Sequence, residues 1–94
     1  MTTAERILQQ CDRIANMLLE KNKSYGDSAL KPTGIFAKGK ATDLIRVRID
    51  DKLNRIKNQP DAFGEDVVLD LIGYLVLYSL ALEDEQVANL GGKS

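Results

Sequence analysis

A long apolar segment near the C-terminus most strongly constrains how this chain can fold. From Val67 to Leu82 nearly every side of a helix would be apolar, and Asp70 is the one charged residue. A helix of this kind is central in a fold or lies in a subunit interface. Gly73 within it would let another helix approach closely. The uncharged part, Leu71 to Leu82, is shorter than the roughly 20 residues of a membrane span, so we predict a helix buried by protein.

Two more helices are predicted before this segment. Thr2 and Glu5 have the spacing of a capping box at the start of the first helix, which should end near residues 20–23. Thr42 is a good N-cap for the second helix, and the run that leads into Pro60 ends it. The expected buried stripes are Ile7, Leu8, Cys11, Ile14, Ala15, Leu18 and Leu19 on the first helix, and Ile45, Ile49, Leu53 and Ile56 on the second.

The third helix should begin at Asp61 or Gly64 and end near Val87. A chain of 94 residues has two other helices to cover it, so we predict a homo-oligomer, most simply a dimer, that completes a helical bundle. The absence of Trp and the few aromatic residues also favour helices over a sandwich or barrel. The expected fold class is all-α, with one domain at residues 1–90 and a flexible tail at 91–94.

A long connection, residues 21–40, separates the first two helices. Glycines and Pro32 interrupt it, and loops of this length in compact domains are usually functional or disordered. Ile35 and Phe36 are apolar enough to hold it against the core, so we expect an ordered loop.

Charge and residue types exclude several functional classes. The formal net charge of −1 does not fit general nucleic-acid binding, which usually needs a strongly basic domain. The chain has no His, which excludes Ser-His-Asp triads, Cys-His pairs and His metal sites. Cys11 is the only cysteine and belongs to the apolar stripe, which favours a core thiol and excludes an intramolecular disulfide. The N-terminus lacks the features of a signal peptide, so we expect a cytoplasmic protein outside the membrane.

A basic face is predicted on the second helix. Arg48, Asp51, Lys52 and Arg55 recur at i, i+3, i+4 and i+7, so they share one side. Arg and Lys side chains suit phosphate oxygens, which favours a phosphate-bearing ligand. The alternative is that neighbouring carboxylates neutralise this face in surface ion pairs, which contribute little to stability.

An acidic turn is predicted at the start of the third helix. Glu65 and Asp66 fit the preference of a helix N-terminus for negative charge. Asp70 enters the apolar stretch, where a carboxylate needs a partner, and Arg48, Arg55 or Mg²⁺ would each serve. Carboxylates at i and i+4 can hold one Mg²⁺ together with substrate phosphates.

Lysines, hydroxyls, a tyrosine and a glycine gather in residues 21–28. Tyr25 could stack on a base or ribose, and Gly26 permits a tight backbone turn. A helix C-terminus with lysines near its dipole and Gly26 as a left-handed cap explains the same residues. Tyr74 and Tyr78 lie one turn apart on the third helix, where packing is the expected role and a hydroxyl in a pocket is the alternative.

Three blocks of the sequence together resemble a known family. They are KNKSYGDS at 21–28, RIDDKLNRI at 48–56 and EDVVLDLIGY at 65–74. This order is similar to that of small phage and prophage proteins of the nucleotide-modification-associated type, and more distantly to that of all-α, MazG-like nucleotide pyrophosphohydrolases. The first resemblance implies a phage-encoded helical protein that handles a nucleotide. The residues that match its pattern are Lys21, Tyr25, Arg48, Asp51, Lys52, Arg55, Asp66, Asp70 and Tyr74.

The pyrophosphohydrolases hold Mg²⁺ with two acidic pairs, of the form ExxE and ExxD, on separate helices. This chain has no ExxE on its first or second helix, and its third helix offers Asp66 and Asp70 in place of ExxD. The resemblance therefore implies nucleotide binding more directly than catalysis.

We predict a small phage-type protein, in the cytoplasm of a bacterial host, that binds a linear or cyclic phosphate-bearing nucleotide. Sequestering a signalling nucleotide would need such a pocket and no chemistry. One alternative is a Mg-dependent nucleoside triphosphate pyrophosphohydrolase, and a second is a structural or partner-binding helical oligomer. The predicted ligand-binding residues are Lys21, Lys23, Tyr25, Arg48, Lys52 and Arg55. The predicted metal ligands of the hydrolase are Asp66, Asp70, Glu65 and Asp51.

Overall fold

The computed structural model describes residues 1–34, 38–58 and 66–91, and these ranges contain helices and no strand. The prediction of an all-α fold is confirmed. No helix in the described part is long and apolar enough to cross a membrane. The three helices are α1 at Thr3–Tyr25, α2 at Ala41–Asn58 and α3 at Val67–Gly91. The predicted loop anchors Ile35 and Phe36, and residues 92–94 of the predicted tail, lie outside the described ranges.

Helix α1 begins with the predicted capping box. The Thr2 N–H donates to Glu5 Oε1 and the Glu5 N–H donates to Thr2 Oγ1, each over 3.1 Å. The Thr2 N–H, together with the Thr2 hydroxyl that donates to Glu5 Oε1 over 2.9 Å, holds the pKa of the Glu5 carboxyl below its ordinary value. The helix continues to Tyr25 and stops at Gly26, whose φ of 62° favours glycine. The first residues of the predicted loop are therefore helical.

The N-terminus of α2 differs from the prediction. The helix begins at Ala41, and the Leu44 N–H donates to the Lys40 carbonyl oxygen over 3.1 Å. Thr42 is thus the second helical residue and not the N-cap. It is buried because its side chain faces α3, where the hydroxyl donates to Glu85 Oε1 over 2.8 Å.

The two predicted starts of α3, Asp61 and Gly64, lie outside the described residues. The described helix begins at Val67. The Asp66 carboxylate caps it, because Oδ1 accepts from the Leu69 N–H over 3.1 Å. The acidic residue before α3 therefore satisfies a backbone donor of the first turn.

Helices α2 and α3 pack in antiparallel directions. Ile45 of α2 and Val67 and Ala81 of α3 are each 3% exposed and are among the most buried residues of the described chain. Three side-chain pairs join the two helices: Thr42 with Glu85, Arg46 with Tyr78, and Lys52 with Asp70. Residues later in α2 pair with residues earlier in α3, so the helices run in opposite directions.

A glycine lets α1 approach α3 closely, as the sequence predicts. Gly73 is buried, and a Cβ atom placed on it would lie 3.1 Å from both Leu18 Cδ2 and Met17 Cε. Lys21, three residues after Leu18 on α1, contacts Asp70, three residues before Gly73 on α3. The C-terminal half of α1 therefore packs on the first half of α3.

Much of the predicted apolar stripe of α1 is exposed. Ile14 is buried, but Ile7 is 58% and Leu8 66% exposed. Cys11 is also exposed, so the prediction of a core thiol is wrong. The physical reason is that the N-terminal half of α1, where every residue from 3 to 13 is exposed, extends beyond the contact with α3. The other exposed members of the stripe are Ala15 and Leu19.

Helix α2 departs from its predicted stripe at Leu53, which is 50% exposed. Of the other members, Ile45 is buried and Ile49 and Ile56 are half-buried. Lys52 faces α3 instead, with a side chain that is 13% exposed. A lysine is stable there because α3 presents the Asp70 carboxylate at the same level.

Candidate functional site

A cleft of about 520 Å³ opens between the C-terminal part of α1, the turn after it, α2 and the middle of α3. Its volume falls within the roughly 300–1,000 Å³ that is usual for small-molecule sites. Apolar walls come from Leu18, Ala29, Pro32, Leu44, Ile45 and Leu77. Polar walls come from Lys21, Asn22, Tyr25, Ser28, Arg48 and Tyr74.

The charged residues of the cleft wall are both cations. Lys21 comes from α1 and Arg48 from α2, and no carboxylate of the described chain lines the cleft. Arg48 is exposed, and within residues 1–34, 38–58 and 66–91 it makes no ion pair. The cleft therefore combines apolar walls with positive charge that can reach a bound anion.

A three-helix ion cluster lies beside this cleft. The Asp70 carboxylate of α3 is 3.4 Å from Lys21 Nζ of α1 and 3.5 Å from Lys52 Nζ of α2. From the sequence, we predict Arg48, Arg55 or Mg²⁺ as the partner of the Asp70 carboxylate. Its partners in the structure are these two lysines. The cluster joins all three helices and fixes the end of Lys21 at the edge of the cleft.

The turn that closes one side of the cleft is held by Asn22. Its Nδ2 donates to the Gly26 carbonyl oxygen over 3.1 Å and to Asp27 Oδ1 over 2.7 Å. The Asp27 carbonyl oxygen then accepts from the Leu30 and Lys31 N–H groups over 3.0 and 2.7 Å. Sequence reasoning did not single out Asn22. The sequence feature that could have indicated its role is that Asn22 lies four residues before Gly26, the glycine that ends α1.

The predicted ligand-binding residues divide into two groups. Lys21, Tyr25 and Arg48 line the cleft. Lys52 lies next to it, against Asp70, and does not line it. Lys23 is exposed and Arg55 half-buried, and neither belongs to the cleft wall.

The predicted metal ligands have other positions or partners in the described part of the chain. Asp66 caps α3, Asp70 lies between two lysines, and Asp51 is exposed on α2. Glu65 lies outside the described residues. Within the described ranges no three carboxylate or thiol side chains form a group that could hold a metal ion.

The two tyrosines of α3 have different surroundings. Tyr74 lines the cleft, which supports the pocket alternative for this residue. Tyr78 accepts a hydrogen bond from Arg46 Nε over 2.7 Å, and the Arg46 guanidinium carbon lies 5.4 Å from the ring centroid. The hydrogen bond raises the pKa of Arg46 above its ordinary value. This pair links α2 to α3 outside the cleft wall.

A second, smaller hollow of about 370 Å³ lies where the start of α2 meets the second half of α3. Its lining contains Lys40 together with Asp84 and Glu85. Glu85 already accepts from Thr42. This hollow has no excess of positive charge, so the first cleft is the better candidate for an anionic ligand.

Comparisons with protein-family models, with curated proteins and with solved structures found no match.

Proposed function

We propose that the protein binds a phosphate-bearing nucleotide in the cleft between α1, α2 and α3. One observation carries the proposal: the cleft wall combines two cations, Lys21 and Arg48, with two tyrosines, Tyr25 and Tyr74, and no carboxylate of the described chain. Phosphate oxygens pair with such cations, and a base or ribose packs on aromatic and aliphatic surface.

Arg48 is the best candidate for the phosphate contact. A guanidinium presents several donors in a rigid fork that matches phosphate oxygens. Because Arg48 makes no ion pair in the described ranges, a ligand would not have to displace a carboxylate from it. Lys21 is half exposed and already shares Asp70 with Lys52, so it would add a positioned point charge.

Tyr25 and Tyr74 provide the surface for the nucleoside. Tyr25 is 73% exposed at the end of α1, so its ring is accessible to a planar base. Tyr74 is half-buried on α3 and reaches the same cleft. Stacking on an exposed aromatic ring would bury apolar surface that is now in water.

A pooled panel of linear and cyclic nucleotides tests the proposal. The purified protein is incubated with the panel, native mass spectrometry identifies the nucleotide that is retained, and calorimetry gives its Kd. Arg48→Ala should weaken binding by about tenfold to a hundredfold, since a hydrogen bond to a charged group contributes about 1.5–3 kcal/mol.

Arg13→Ala is the matched control, because Arg13 is exposed on α1 and does not line the cleft. It should leave the Kd unchanged. Retention of no nucleotide would show that the proposed function is wrong. A nucleotide that binds Arg48→Ala and the native protein equally would show that the site lies elsewhere.

Hydrolysis and sequestration stay predictions from the sequence. Asp66 and Asp70 have other partners in the structure, so no observation favours a magnesium-dependent hydrolase over a binding protein. The same incubation with Mg²⁺ separates the two, because a hydrolase would convert a triphosphate into monophosphate and pyrophosphate. Phage origin and a cytoplasmic location likewise stay predictions.

We also propose that the protein is a homo-oligomer. The exposed apolar residues of α1 and α3 support this part of the proposal, because isolated helical faces of this kind are usually covered.

A further inference from the structure

The outer side of α3 carries an apolar stripe that the described chain leaves in water. Val68 is 55%, Leu75 46% and Leu82 38% exposed. These residues are seven apart, so they follow one side of the helix with little drift. The part from Leu71 to Leu82 contains no charged residue, whereas a helix face in solvent normally carries polar side chains.

The dimensions of the chain indicate that a large surface is available for a partner. The radius of gyration is 15.5 Å, whereas a compact domain of this length has about 12 Å. The accessible surface is 7443 Å², whereas a compact monomer of 10.4 kDa exposes about 5,400 Å². The excess is larger than the roughly 800 Å² that each partner buries in a standard interface.

We infer that two copies of this chain pair through the stripe Val68, Leu75 and Leu82 of α3, with Leu75 near a two-fold axis. A two-fold interface joins the same patch of both copies, and an apolar patch without charges is complementary to itself. A net charge of −1 per chain gives little repulsion between copies. This inference rests on the proposed homo-oligomer and not on the proposed ligand.

The stripe lies on a different side of α3 from the cleft. Around the helix, Leu75 is about 100° from the cleft residue Tyr74 and about 200° from Leu77. Pairing through the stripe therefore leaves both clefts of the dimer open, and an interface variant that folds should keep its ligand-binding site.

Light scattering after gel filtration tests the pairing. The native protein should run at twice the chain mass of 10.4 kDa, and Leu75→Glu should run at the mass of one chain. Val47→Glu is the matched control, because Val47 is 57% exposed on α2 and lies away from the stripe. It should remain a dimer, with the same circular dichroism as the native protein.

Crosslinking keeps the inference testable if Leu75→Glu fails to fold. In a Cys11→Ser background, Leu75→Cys should form a disulfide-linked dimer under mild oxidation, and Val47→Cys should not. A native protein that is monomeric at tens of micromolar would overturn the oligomer and the stripe together. A native dimer that persists in Leu75→Glu, or that Leu75→Cys does not crosslink, would overturn the stripe and leave the oligomer standing.

Discussion

Asp70 illustrates how far a single residue can be predicted from its neighbours in sequence. Its position in an apolar stretch predicts a partner, and the structure provides one on each of the other two helices. The identity of the partners could not be predicted. It depends on the register of the antiparallel pair α2–α3, which sets Lys52 level with Asp70 and leaves Arg48, one turn earlier on the same side of α2, at the cleft.

The ion cluster should contribute measurably to stability. Asp70→Asn keeps the shape of the side chain but removes the charge shared by Lys21 and Lys52. Because Lys52 is only 13% exposed, its ammonium would then lose the carboxylate that faces it from α3 in partly desolvated surroundings. We expect the free energy of unfolding to fall by about 1–3 kcal/mol in urea titrations.

Asp51→Asn is the control for this substitution, since Asp51 is exposed on the same helix as Lys52. Its effect should stay within about 0.5 kcal/mol, as for most surface changes. Equal stability of Asp70→Asn and the native protein would mean that the lysines reach water without the carboxylate.

Gly26 should be required for the turn that borders the cleft. Its φ of 62° and ψ of −150° belong to a region that side chains with a Cβ rarely adopt. No atom lies within 4 Å of a Cβ built there, so Gly26→Ala should cost backbone strain without a clash, about 1–3 kcal/mol of unfolding free energy.

Gly39→Ala separates this strain from the general effect of replacing a glycine. Gly39 has no positive φ, and a Cβ there would meet Leu44 Cδ2 at an ordinary 3.6 Å. Urea denaturation should therefore find Gly39→Ala neutral or slightly stabilising. If Gly26→Ala behaves the same way, the turn can adopt another conformation.

At the scale of the elements, the sequence predicts which segments form helices but not which side of each helix faces the others. Apolar periodicity and caps identify all three helices, and the capping box at Thr2 is present as predicted. Thr42 is not the cap because the helix begins one residue earlier, at Ala41, and its hydroxyl donates to Glu85, a residue 43 positions away on α3. The apolar stripe of α1 has the right period, but its N-terminal half has no helix of this chain beside it in the described part.

The approach of α1 to α3 should depend on the absence of a side chain at Gly73. Leu18 Cδ2 and Met17 Cε would lie 3.1 Å from a Cβ there, so Ala requires small shifts and Leu requires α1 to move away. We expect Gly73→Leu to lower the free energy of unfolding by about 1–3 kcal/mol, as in other overpacked contacts. It should also weaken nucleotide binding, because Lys21 and Tyr25 move with α1.

Ala15→Leu is the control, because it also introduces a leucine but at an exposed position of α1. It should change neither the free energy of unfolding nor nucleotide binding. Hydrogen exchange gives a direct measure of the helix contact, since amides of α1 should lose protection in Gly73→Leu. Unchanged protection together with unchanged binding would contradict the role of this glycine.

At the scale of the whole molecule, the sequence indicates that α3 needs more cover than two helices can give, but not on which side. In the structure the exposed apolar residues of α3 include Val68, Leu75 and Leu82, which follow one side of the helix. The buried apolar core of the described chain is small, and consists of Ile14, Ile45, Val67, Leu69 and Ala81. A core of this size gives a single chain little stability, so pairing should supply a large part of it.

Stability should therefore depend on protein concentration. If pairing binds the folded state and not the unfolded one, each tenfold increase in concentration should add about 1.4 kcal/mol to the apparent free energy of unfolding of the dimer. The urea midpoint of the native protein should rise accordingly between about 1 and 100 µM, and that of Leu75→Glu should be lower and independent of concentration. Val47→Glu should follow the native protein, because its exposed position on α2 lies off the stripe. A native midpoint that does not move with concentration would mean that a single chain is the stable unit, and that the apolar side of α3 tolerates water without a second copy.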